Sequence, residues 1–443
     1  KHQERELSTE ERSDNKIFDE YKPQETIEGA KSHPGKLEES AAMAAVPLPR
    51  LTYALALPKD IVGEGRLSDA QLEAVLYAGH SHRQFSRGDD AARMGFFVGD
   101  GTGVGKGREI AAIIWDNYLQ GRKKAVWITQ NQPLINDAKR DVDGVGWNPE
   151  LLIDFGKTKL GSEIKNEEGI AFLGYGLLAS KSKAEKDISR VNQLAAWLGE
   201  DFDGVIVFDE AHNMGNAIAS KGTRGTKKAS LKALAGIELQ ARFPKARIVY
   251  VSATGATEVS NLSYCDRLGL WGYGTAFADK RDFVDNIAGS GVAAMEMVAQ
   301  NLKAMGRYMA RSLSFDGVSY SNLEHPLTED QRVAYDKAAE AWQVVLKNVH
   351  EAIEKTEAGK QQKANAMSAF WGSHQRFFNQ IITSMQMPTI IKSIERDLAD
   401  GHAPVLQLVN TNEAQLNRAL QDRSEDDEME DLDLTPLEQL IGY

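Results

Sequence analysis

The stretch GFFVGDGTGVGKGREIAAII, Gly95–Ile114, decides how the rest of the chain is read. It opens on a short apolar run, GFFVG, suited to a buried strand, and closes on an apolar helical segment, EIAAII. Between them lies DGTGVGKG. Glycines there let consecutive backbone N–H groups turn inward as a nest for phosphate oxygens, and the helix N-terminus adds partial positive charge. Asp100, Gly101, Thr102, Gly103, Val104, Gly105, Lys106, Gly107 and Arg108 are therefore the candidate contacts to ATP, with Lys106 reaching the β- and γ-phosphates. A glycine-rich structural turn is the competing explanation; the order of strand, lysine-bearing loop and helix favours phosphate. One position departs from the usual pattern. The residue after the lysine normally carries a hydroxyl that ligates Mg2+, and Gly107 has none. An extra water can take that place, so the loop predicts nucleotide binding ahead of hydrolysis.

Working outward, KAVWIT (Lys124–Thr129), GVIVF (Gly204–Phe208) and RIVYVS (Arg247–Ser252) repeat the short β-branched run. EIAAIIWDNYL (Glu109–Leu119) and ISRVNQLAAWL (Ile188–Leu198) read as helices between them. This alternation predicts an α/β fold with a parallel sheet covered on both faces. In such a sheet the strand C-termini share one edge, so the loops after these strands can meet.

The second of those loops is FDEAH, Phe208–His212. Asp209 is the candidate metal residue for Mg2+, and Glu210 the candidate to orient or deprotonate the attacking water. A helix-capping Asp–Glu pair is the plain alternative. The third is SATG, Ser252–Gly255, where Ser252, Ala253 and Thr254, with His212, are candidates to couple the phosphate state to a partner domain. Gln71, in LSDAQLEAV after the helix cap Ser68, can read adenine through its amide or simply face solvent. Gln130 and Asn131, in ITQNQP, are candidates for nucleic-acid contact. Trp371, Phe377 and Phe378, in FWGSHQRFF, read as core rather than as base-stacking platforms.

Composition sets bounds. The chain has 443 residues, 42% hydrophobic and 26% charged, with 7 Trp, 12 Tyr and 15 Phe, enough for two or three domains with real cores. Its single cysteine, Cys265, points to a reducing, cytoplasmic setting. No long apolar run suggests a membrane span. There is no HExxH, CxxC or calcium-loop string. Net charge is −12, which argues against simple phosphate-backbone grabbing. The acidic segment EDDEMEDLD (Glu425–Asp433) skews that balance, and a local basic cluster, Lys221, Arg224, Lys227 and Lys228, runs the other way. Both runs also read as solvated loops. The chain begins with Lys, and is expected to be a piece of a longer protein. Four segments are expected: an extended lead-in over 1–58, an ATP-binding domain over 59–290, a helical region over 291–400 that includes MEMVAQNLKAMGRYM, and from 401 to 443 the start of a second α/β domain, opening on PVLQLVN.

With the P-loop, DEAH and SATG in order, the chain resembles the strawberry notch family, a branch of superfamily 2 with relatives in bacteria, plasmids and phages. The resemblance spans Tyr21 to Asn412 and is carried by HPGKLEESAAMAAV, LSDAQLEAV, GDGTGVGKGREIAAII, FDEAHNMGN, PKARIVYVSATGATE, RLGLWGYGT, GVAAMEMVA, RSLSFDGV and SHQRFF. GKGR in place of GKT is itself a habit of that family, which makes Gly107 an inherited variation. The resemblance implies a RecA-like P-loop NTPase domain, a helical insertion and the start of a second RecA-like domain that normally supplies arginine fingers. None can be assigned here, so ATP hydrolysis is expected to be incomplete in these 443 residues alone. The function implied is the ATPase half of an ATP-dependent nucleic-acid translocase or helicase, acting on double-stranded DNA in preference to RNA, with ATP and Mg2+ as cofactors. Its partners would be the second RecA-like domain of its own polypeptide and other proteins, with no membrane. The rival is a nucleotide-gated scaffold that binds ATP and a protein partner but moves nothing.

Overall fold

Twelve strands organise the protein in a computed structural model that describes residues 17–408, apart from 89–90, 183, 185–186, 216, 218–219, 223–224, 228, 255–261, 289 and 357–358. They are β1 (Phe18–Glu20), β2 (Leu37–Ser40), β3 (Phe96–Val98), β4 (Lys124–Thr129), β5 (Leu152–Asp154), β6 (Gly169–Gly174), β7 (Val205–Asp209), β8 (Ser220–Gly222), β9 (Gly225–Lys227), β10 (Arg247–Val251), β11 (Tyr308–Met309) and β12 (Ser312–Leu313). Seven of them form one parallel sheet in the order β11-β3-β10-β7-β4-β6-β5.

Side chains alternate across that sheet, and the sequence parity sorts them into two cores. Phe97, Val126, Ile128, Ile206, Phe208, Ile248 and Tyr250 face one layer. Phe96, Val98, Trp127, Val205, Val207, Val249 and Val251 face the other, with Ile110, Ile113 and Ile114 of the helix Lys106–Leu119. Both faces are covered, which is why the strands carry no polar alternation. β5 and β6 go beyond the strands expected from the sequence: LID is too short for a pattern, and the periodicity of an apolar run such as GIAFLG does not by itself separate a strand from a buried helix segment.

The lead-in is more structured than the expected extended wrapping. β1 and β2 pair antiparallel, β12 adds to β2, and Ser40 caps a single helical turn, Ala41–Ala44. MEMVAQNLKAMGRYM is helical only in part. The helix Gly291–Ala304 stops before Gly306, whose φ of 68° is a left-handed terminator, and Tyr308–Met309 then become β11 at the sheet edge. Two-residue strands carry no periodicity, so this turn back into the sheet is invisible to pattern reading. The first compact unit therefore runs to Asp316, past the boundary expected at 290, and the second covers Gly317–Tyr443.

Within the second unit the helices Glu329–Lys355 and Lys360–Ala399 pair around Trp342, Phe370, Phe377 and Phe378. Tyr335 meets Phe378 and Trp342 meets Phe370, an antiparallel hairpin. Phe377 and Phe378 are core as expected, whereas Trp371 is half exposed. Pro404–Leu408 carry no strand; the rest of PVLQLVN and the acidic run Glu425–Asp433 lie outside the described residues, as do the side chains of the basic cluster at 221–228.

Candidate functional site

β10 lies between β3 and β7, with Val251 paired to Val98 on one side and to Asp209 on the other. The loops after these three strands are DGTGVGKG, DEAH and SAT, so the register alone delivers them to one edge of the sheet.

The P-loop begins at Gly99 and turns through Gly103 (φ 91°) and Gly105 (φ 99°). A Cβ on Gly105 would lie 2.2 Å from Gln71 Nε2, so this position is closed to larger residues twice over. Lys106 opens the following helix, and its ammonium donates to Gly101 O at 3.4 Å. Thr102 and Gly103 are exposed and Val104 is buried. Arg108 points away from the loop: its guanidinium donates to Arg66 O at 3.3 Å and lies beside Gly144.

Two residues expected at the nucleotide carry other duties. Gln71 is buried in a capping box with Ser68, and its Nε2 donates to Val104 O at 2.9 Å. Both ends of its amide are thus engaged, and reading adenine would require that bond to open. Asp100 is fully buried, its carboxylate paired with Arg311. Its side chain braces the loop from behind.

Arg311 is the partner of the P-loop whose contacts the sequence did not reveal. Its Nε lies 3.1 Å from both Asp100 carboxylate oxygens, Nη2 lies 2.8 Å from Glu109 Oε1, and another donor bonds Ala70 O. Burial, then the charge of Asp100, pushes the Glu109 carboxyl well up. Backbone bonds run parallel to this cluster: Gly99 N donates to Met309 O and Gly101 N to Arg311 O, at 2.6 and 2.7 Å.

At the end of β7, Asp209 accepts from Glu210 N (3.0 Å), Thr129 Oγ1 (3.2 Å) and Trp127 Nε1 (3.4 Å). Burial, then the neighbouring Glu210 charge, lifts its carboxyl to about 6 against those hydrogen bonds. Glu210 is left-handed, φ 48°, the one non-glycine residue with positive φ among the described residues. Backbone strain of this kind persists where surrounding structure enforces it; here Tyr175 donates to Asp209 O at 2.9 Å and Asn213 Nδ2 to Glu210 O at 3.0 Å. His212 Nδ1 sits 3.3 Å from Glu210 Oε2 and 3.2 Å from Ser252 Oγ. Ser252 Oγ is in turn 3.3 Å from Thr254 Oγ1. A polar chain thus joins the DEAH loop to the loop after β10 through Ser252 and Thr254, with Ala253 lying between them in sequence and taking no part in it; Gly255 lies outside the described residues. Gln130 and Asn131 are exposed after β4.

No group of three or more His, Cys, Asp or Glu among the described residues could hold a metal by itself. The oxygen donors are instead those that suit Mg2+, which keeps waters and binds through one or two carboxylates plus substrate phosphates. No helix among the described residues is long and apolar enough to cross a membrane. Cys265, the single cysteine of the chain, is buried.

The chain is similar to the Drosophila melanogaster protein strawberry notch, 40% identical over 391 residues, which are 87% of this chain and 23% of that protein. It is similar to strawberry notch homolog 1 of Gallus gallus, 38% identical over 88% of this chain and 32% of the relative. With FORGETTER 1 of Arabidopsis thaliana it shares 36% identity over 91% and 31%. The chain therefore spans about a quarter to a third of the length of these relatives. They are eukaryotic, and they lend no support to a bacterial, plasmid or phage branch. Among solved structures, the Sulfolobus solfataricus SWI2/SNF2 ATPase core in complex with dsDNA aligns over 70% of this chain and 61% of that one, at 17% identity and a TM-score of 0.35, too distant to carry an argument. The profile of the family described as P-loop containing NTP hydrolase pore-1 matches residues 32–337. With a parallel sheet that brings a lysine-bearing glycine loop beside Asp209 and Glu210, and a profile match over most of its length, this chain belongs to the P-loop containing NTP hydrolase pore-1 family.

Proposed function

We propose that this chain is the ATPase half of a nucleic-acid motor, acting on double-stranded DNA in preference to RNA. The observation that carries the reading is the chain Glu210–His212–Ser252–Thr254, which ties the loop beside the phosphates to the loop after β10. A binding site for nucleotide needs only the P-loop; a hydrogen-bonded path leading out of it is what a motor adds.

In this reading the loop amides of Gly101–Gly107 and the Lys106 ammonium bind the ATP phosphates. Asp209, held by Trp127 and Thr129, orients the Mg2+ shell. When bound, Mg2+ neutralises charge on the β- and γ-phosphates. Glu210 positions the attacking water and accepts its proton, the left-handed backbone aiming the carboxylate out of the strand. His212, Ser252 and Thr254 pass the state of the site outward. Gln130 and Asn131 are the proposed contacts to the nucleic-acid backbone, and Gln71 the proposed adenine contact once its bond to Val104 opens. A second RecA-like domain, the cytoplasm as the working compartment and further protein partners belong to the same proposal. So does the division into a lead-in, an ATP-binding domain, a helical region and the start of a second α/β domain, with the boundary expected at 290 moved to follow β12.

The net charge of −12 favours the rival, a nucleotide-gated scaffold. One experiment separates them: ATPase activity of the intact protein measured with and without duplex DNA, at two salt concentrations. Stimulation by DNA that weakens with salt supports the motor; nucleotide binding without any response to DNA or RNA supports the scaffold.

A further inference from the structure

Gly107 occupies the position where a P-loop ordinarily carries a hydroxyl, and the space that side chain would use is already filled. A Cβ on Gly107 would lie 1.9 Å from Asp141 Oδ2 and 2.7 Å from Asp141 Cγ. The nearer distance is far inside van der Waals contact, so a side chain at this position requires Asp141 to move. A carboxylate oxygen therefore fills the space in which the side chain of a Thr or Ser would begin.

Asp141 belongs to the helix Ile135–Gly144, which follows β4. In the strand order β3-β10-β7-β4 both β7 and β4 lie on the same side of the P-loop strand, so Asp141 approaches from the side that carries Asp209. Its carboxylate is half-buried. Among the described residues its side chain makes no hydrogen bond or ion pair; the neighbouring Arg140 pairs with Asp137 instead. Burial pushes the carboxyl up, with Arg140 and Arg108 pulling the other way. A half-desolvated carboxylate without a fixed partner gains most from an incoming cation.

We propose that Asp141 supplies, from the neighbouring helix, the oxygen of the Mg2+ shell that Gly107 cannot, directly or through one of the ion's waters. The inference rests on the nucleotide reading above. It has a consequence that a neutral hydroxyl would not produce. A carboxylate beside the phosphates repels nucleotide in the absence of metal and holds it in its presence, so removing the charge should act with opposite signs under the two conditions.

The test uses the full chain, a fluorescent ATP analogue titrated in EDTA and in Mg2+, and Mn2+ binding to the nucleotide complex followed by electron paramagnetic resonance. Asp141→Asn is expected to weaken Mn2+ binding about tenfold or more, the range seen when a supporting group of a metal site is lost, while affinity for the analogue in EDTA is equal or higher. A second comparison does not depend on the folding of that variant: Gly107→Ser combined with Asp141→Ala should hold Mn2+ more tightly than Asp141→Ala alone, because the hydroxyl returns to its ordinary place. Mn2+ held by Asp141→Asn as tightly as by the parent overturns the proposal. So does an equal loss of nucleotide with and without metal, which would mark Asp141 as merely structural. If the parent chain binds no analogue under either condition, the nucleotide reading falls first, and this inference with it.

Discussion

Arg311 and Asp100 stand 211 residues apart in the chain and meet with neither side chain exposed, Arg311 Nε being 3.1 Å from both Asp100 carboxylate oxygens. The contact ties the first residues of the P-loop to the stretch between β11 and β12. Glu109 and Ala70 complete the set of partners, and the Tyr21 ring lies 5.3 Å from the guanidinium. One buried cation thus gathers the lead-in, the helix Asp69–Ser81 and the P-loop.

Arg311→Ala should therefore cost more than an ordinary substitution. Breaking a buried ion pair from one side leaves an uncompensated charge and costs about 3–5 kcal/mol. Denaturant unfolding should register that loss. Asp100→Asn together with Arg311→Met should recover part of it, since both charges leave together. If Arg311→Ala unfolds within about 1 kcal/mol of the parent, the cluster does not anchor the loop.

Lys106→Ala should leave the fold intact, because among the described residues its ammonium makes only a long hydrogen bond, to Gly101 O at 3.4 Å. Nucleotide affinity should fall about 10- to 100-fold, the worth of a hydrogen bond to a charged group. Isothermal titration with an ATP analogue checks this, and unchanged affinity would remove Lys106 from the phosphate site.

Glu210→Gln keeps the shape of the side chain and removes its basicity. ATP binding should persist, while turnover of the intact protein should drop about 10²- to 10⁴-fold, as expected on loss of a general base. Loss of binding in a folded variant would assign Glu210 a different task.

His82 gives the fold a sensitivity to acid. It is buried, its Nε2 lies 3.1 Å from Ile248 O, and burial lowers its pKa from the usual 6.5 to about 3. The folded state thus holds the ring neutral while the unfolded chain protonates it. Its contribution is complete above about pH 6.5 and is lost as pH falls toward 3, by about 1.4 kcal/mol per pH unit. His82→Gln should flatten the stability profile between pH 6.5 and 4 in urea titrations. An unchanged slope there would show that other groups carry the acid limb.

Much of this protein could be read from its sequence because the decisive signals are local. A β-branched run, a glycine loop and an amphipathic helix need only neighbouring residues to declare themselves, so β3, β4, β7 and β10, the P-loop and DEAH were all legible. So was their meeting point, since parallel strands share an edge. What tertiary structure alone decided are the contacts across large separations. Arg311 opens RSLSFDGV, a string that carries the family resemblance, yet nothing in that string says what its guanidinium meets; that is settled because β11 returns to the sheet beside β3, a pairing of two residues too short to leave a period. Asp141 reads as one acid among several on a polar helix face until the helix after β4 brings it against Gly107. Asp100 and Gln71 are nucleotide candidates because sequence reports which residues lie in or near the P-loop motif, whereas burial decides which way they point, and a buried carboxylate or amide must first satisfy its own hydrogen bonds.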